Sequence, residues 1–162
     1  MKNVAKLDEI FEHGLKSDIK DILITCDKQG KYSLFGKYTI MPALSKGFKA
    51  FTPKHVEEYE FSSLIHAASW CTLHNAGRFK EARRMVMLDL KLSSIKMDIE
   101  NHARLLKNST TPSTRFLYVV KIEEDLLKQN LMLEEISYHI NTSKRIQEQK
   151  FHKSEHQNFR YL

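Results

Sequence analysis

From Lys28 to Lys54 the chain carries six lysines and no acid, interleaved with Tyr32, Phe35, Tyr38, Phe48 and Phe51. Ammonium groups attract the phosphate backbone, and exposed aromatic faces stack bases, so this combination points to contact with single-stranded nucleic acid or RNA. Lys28, Lys31, Lys37, Tyr38, Lys46 and Lys49 are the candidate contacts. A second basic cluster, Arg78, Lys80, Arg83 and Arg84, falls in the first two turns of an expected helix. The macrodipole disfavours cations there, a cost that binding an anion would offset; pairing with Glu81 or with the acids at 57 to 60 is the bland alternative. Strand alternation sets Tyr32, Leu34 and Gly36 on one face and Lys31, Ser33, Phe35 and Lys37 on the other, so at least half of the aromatics are expected in the core.

Other chemistry finds less support. His66, Cys71 and His74 offer one arm of a metal site, whereas a tetrahedral site needs four converging ligands, so no metal and no other cofactor is expected. The five glycines form neither a Walker nor a dinucleotide pattern, and no nucleophile stands with a recognisable base. Neither catalysis nor a small-molecule substrate is therefore expected. Cys26 and Cys71 lack metal or redox spacing and read as reduced. The chain has 162 residues, 41% of them apolar, which suffices for one packed core, and its longest apolar run, Phe116 to Val120, is far too short for a bilayer. An acid-bearing start without an apolar stretch points to the cytoplasm, with no membrane contact. Lysine outnumbers arginine 19 to 7, a bias of AT-rich genomes such as those of many phages or low-GC bacteria.

The elements that must position these residues are α+β and mostly helical. Leu7, Ile10, Phe11 and Leu15 share one helical face near the N-terminus. Ile22 to Thr25 and Tyr32 to Met41 read as two strands of an antiparallel hairpin with Gly36 as a bulge, and Phe48 to Phe51 as a short third strand. Thr52-Pro53 reads as a helix start, with the chain helical from there on. The expected divisions are thus 1–54, helix plus basic sheet; 55–77, a connecting helix; 78–151, a long antiparallel helical hairpin; and 152–162, a basic aromatic tail. A helix from about Ser62 to His74, a stop at Asn75 to Gly77 and a helix from Arg78 resemble one tetratricopeptide hairpin, with Gly77, Phe79 and Ala82 as turn glycine, aromatic and small packing residue. The resemblance covers about one repeat. No second copy follows, and the next helix outruns the repeat.

The hairpin carries the clearest pattern. Met85, Leu88, Leu92, Ile95, Ile99, His102 and Leu106 alternate steps of three and four, as do Val119, Ile122, Leu126, Gln129, Leu133, Ile136, Ile140 and Ser143. Between them, Pro112 reads as a stop and Ser113 or Thr114 as the next cap. An antiparallel register summing to about 225 sets Leu92 against Leu133, Ile99 against Leu126, and His102 near Glu123. Taken together, these residues predict a small non-enzymatic binding and assembly protein, associated with nucleic acid and self-associating through its helices into a homo-oligomer or larger assembly. The alternative is a structural or adaptor protein of a virion or complex, making protein contacts only.

Overall fold

The computed structural model describes residues 24–26 and 28–159; the expected N-terminal helix lies outside them. The fold is α+β and mostly helical, with an antiparallel sheet preceding the helices. The sheet is a five-stranded meander: β1 (Ile24–Cys26), β2 (Tyr32–Leu34), β3 (Tyr38–Pro42), β4 (Phe48–Phe51) and β5 (Glu58–Phe61), each pairing with the next. Three helices follow, α1 (Leu64–Asn75), α2 (Phe79–Asn108) and α3 (Pro112–Phe159). The described residues divide into two compact units, one of those up to 86 and from 139 on, the other of Met87–Tyr138.

Two sequence readings of the first unit need correction. The run Tyr32 to Met41 is two strands, because Phe35 (φ 55°) and Gly36 (φ 70°) both adopt left-handed backbone and Lys37 N–H donates to Leu34 C=O at 3.1 Å. That is a tight hairpin turn: the register pairs Leu34 with Tyr38, so Phe35, Gly36 and Lys37 connect the strands, and Gly36 is the middle residue of the connection, not a bulge within a strand. The connecting helix expected over 55–77 begins only at Leu64. Pro53–His55 is a single 3-10 turn, ended by left-handed Lys54 and His55, and Glu58–Phe61 then forms the fifth strand. Thr52, buried, anchors this return: its N–H donates to Glu57 C=O at 3.0 Å and its hydroxyl oxygen accepts from Glu57 N–H at 2.8 Å.

Alternation along the strands sends Tyr32, Leu34, Tyr38, Ile40, Ala50 and Phe61 to one buried face, onto which α1 packs. Ser63 caps α1 by accepting from His66 N–H, and a left-handed Gly77 ends it. There Gly77 N–H donates to His74 C=O and Arg78 N–H to Leu73 C=O, the paired bonds of a Schellman motif. Ala67 through Leu73 are all buried, so α1 is covered on every side. Trp70 fills the sheet side among Tyr38, Tyr59 and Phe61. On another side, Ser143 Oγ donates to Ser69 C=O at 3.2 Å and Gln147 Nε2 to Thr72 Oγ1 at 3.0 Å, which ties α3 to α1.

The second unit is the helical hairpin. Pro112 begins α3 instead of ending α2, since a first-turn residue needs no N–H donor, and Arg115 N–H donates to Thr111 C=O. The Arg115 guanidinium also bonds the carbonyls of Leu106 and Ser109, satisfying groups that the end of α2 leaves open. Every expected seam residue of α2 is buried or half-buried. In α3 only one of two rows holds: Ile122, Gln129 and Ile136 are inside, while Val119, Leu126 and Leu133 are 39%, 41% and 41% exposed. Their predecessors Tyr118, Asp125 and Met132 take the seam, so Leu92 with Leu133 and Ile99 with Leu126 are not its buried layers. The cause is polar: His102 Nδ1 lies 2.8 Å from Asp125 Oδ2, and a buried carboxylate needs such a partner. His102 therefore meets Asp125, two residues beyond the expected Glu123. The backbone of α3 continues helical through Phe159, past the end of its apolar periodicity near Phe151.

Candidate nucleic-acid interface

A meander sorts its turns to two ends. The β1–β2 and β3–β4 connections share one end, and Gly30 of the first lies beside the Pro42 ring that opens the second. Lys28, Lys31 and Lys46, all exposed, come together there from two separate turns. Lys49, half-buried one residue into β4, points to the outer face opposite Glu60 of β5, which also accepts from Ser45 Oγ at the same end.

Lys37, in the β2–β3 turn, sits at the other end with Lys54 and the start of α2. The two ends stand apart by about the length of α1, roughly 18 Å for twelve residues. Arg78 pairs there with Glu81 at 3.2 Å, Lys80 and Arg83 are exposed, and Arg84 is half-buried. The lysine block is thus divided between the two ends, and Lys37 lies at the end that holds the second basic cluster.

The aromatics do not form a stacking platform. Tyr38, counted among the contacts, is 3% exposed and belongs to the core, because strand alternation turns it towards Trp70. Tyr32 and Phe51 are buried as well, and Phe35 and Phe48 are half-buried. The exposed lysines can hold phosphates; base stacking has no comparable surface here.

A constellation that sequence reasoning missed lies at the Lys37 end. Tyr38 Oη and His74 Nδ1 share a hydrogen bond at 2.6 Å, and His74 Nε2 faces Glu57 Oε2 at 3.8 Å. Burial, with lesser contributions from Cys71 and Glu57, pushes the Tyr38 phenol up to about 12. It therefore keeps its proton at neutral pH. So raised a phenol is a poor acid or nucleophile at neutral pH, and the trio joins β3, α1 and the turn before β5. Its members are far apart in sequence, and only the matching ends of β3 and α1 could have paired them. Burial also raises the Cys71 thiol, which works against thiolate chemistry. Among the described residues no group of three or more His, Cys, Asp or Glu could hold a metal ion. No helix among them is long and apolar enough to cross a membrane.

No protein-family model, no curated protein and no solved structure matches the chain.

Proposed function

We propose that the protein is a small non-enzymatic binding and assembly protein of the cytoplasm, encoded by a phage, that holds nucleic acid by its phosphates and self-associates through its helices. One observation carries the nucleic-acid reading: Lys28, Lys31 and Lys46, from two separate turns, share one end of the sheet. Phosphate contact of this kind is insensitive to sequence and steeply dependent on salt. The test is a binding titration with single-stranded and duplex oligonucleotides at two salt concentrations. Wild type is expected to bind with a steep salt slope, and Lys28→Glu/Lys31→Glu/Lys46→Glu to bind all sequences more weakly with a flatter slope. Lys37→Glu, at the opposite end, changes neither. Unaltered affinity in the triple variant would remove this end of the sheet from the site.

The second reading is a structural or adaptor protein, a virion or complex component with protein contacts only. It draws on Glu60, which opposes Lys49 and shows that the basic block meets acid within the sheet. On that reading no nucleic acid binds at either salt concentration.

A further inference from the structure

In Val119, Leu126 and Leu133 the hairpin displays three large apolar residues, each seven positions from the next and each about two-fifths exposed. Seven residues are two helical turns, so the three form a straight row about 21 Å long, beside the seam and outside it. Soluble chains rarely leave such a row open to water. An evenly spaced row is its own complement when a second copy runs antiparallel across a two-fold axis: Leu126 meets Leu126, and Val119 meets Leu133.

The charges on α2 obey the same symmetry. Lys96 and Glu100 are both exposed and four residues apart, with their midpoint at residue 98. The inner rows of the two helices, Leu92, Ile95 and Ile99 against Met132, Gln129 and Asp125, interlock antiparallel with residue numbers summing to about 224, which sets residue 98 at the level of Leu126. A two-fold axis through Leu126 therefore brings Lys96 of each copy to Glu100 of the other. A partner with only one sign of charge would satisfy one of these residues and oppose the other, whereas a second copy satisfies both.

We infer that the hairpin is the interface of an isologous antiparallel dimer, with α3 against α3 through Val119, Leu126 and Leu133 and α2 against α2 through Lys96 and Glu100. The inference rests on the self-association proposed above and names its face and its partner.

The test is sedimentation equilibrium of the full chain with three substitutions. Wild type is expected to be a dimer. Leu126→Glu and Leu126→Lys each set like charges face to face on the axis, so each alone is a monomer, with helix content by circular dichroism unchanged. Mixed in equal amounts, the two re-form a dimer, because glutamate now meets lysine at one point; only an interface symmetric about residue 126 gives this rescue. Leu90→Glu, which alters an exposed residue of α2 away from the proposed face, leaves the dimer intact. A wild type that stays monomeric at every concentration would overturn both this inference and helical self-association. A Leu126→Glu protein as dimeric as wild type, or a mixture that remains monomeric, would leave self-association standing and overturn this interface.

Discussion

His102 and Asp125, 23 residues apart, meet at 2.8 Å across the helical hairpin, where the carboxylate is largely withdrawn from water. Replacing His102 by Leu leaves that carboxylate without its partner. The expected loss is about 1–3 kcal/mol in urea unfolding, the usual cost of an unsatisfied buried polar group. His102→Leu/Asp125→Leu is expected to recover most of it, since two apolar side chains pack without desolvating a charge. A double variant no more stable than the single one would show that the pair does not hold the seam.

The Tyr38 hydroxyl gives a dependence on alkaline pH. Its folded pKa, about 12 against an ordinary 10.0, means that the folded chain keeps a proton which the unfolded chain releases. The associated stability is whole below pH 10 and is lost as pH rises towards 12, with a slope of at most about 1.4 kcal/mol per pH unit. Tyr38→Phe is expected to lack this component. Melting temperatures of both proteins between pH 8 and 11.5 should therefore converge as the solution becomes more alkaline, and parallel curves would contradict the burial of the phenol.

Gly47 is required by contact. A Cβ at this position would collide with the backbone carbonyl oxygen of Phe61, which cannot move without parting β4 from β5. Gly47→Ala is expected to cost about 1–3 kcal/mol, as overpacking does elsewhere. Gly36→Ala meets no neighbour and carries only the strain of its positive φ, so its melting temperature should fall less.

Thr72 both donates to Ala68 C=O and accepts from Gln147 in a buried layer. Thr72→Val preserves the shape and removes both bonds, for an expected loss of about 1–3 kcal/mol by chemical denaturation. Adding Gln147→Leu should return part of that loss, because the stranded amide is then gone as well.

Much of the architecture can be read from periodicity. The row Met85 to Leu106 is the inner face of α2, and Phe48 to Phe51 is a strand with the expected bounds. Strand β5 was legible too, since Glu58-Tyr59-Glu60-Phe61 alternates with period two; the helix-start signal of Thr52-Pro53 and the run of acids hid it. The rotation of α3 was less accessible. Its sequence offers two adjacent apolar rows, and the choice between them turns on a polar requirement of His102 that only tertiary contact expresses. The lysine block was visible as composition, but its division between two ends follows from the number of turns, and Phe35-Gly36 supplies a turn where the sequence reads as one continuous strand.

The contact between Ser143 and Ser69 spans 74 positions, and it sets a schedule for the growing chain. Synthesis at about 5–20 residues per second makes α1 and the whole meander many residues before the end of α3 that covers them. During that interval Ser69, Thr72 and their neighbours have no cover on the α3 side. The first unit can close only once residue 147 has left the ribosome, so its nascent form is a sheet and helix with one flank wet, exposed to chaperones and proteases in a way the finished molecule is not.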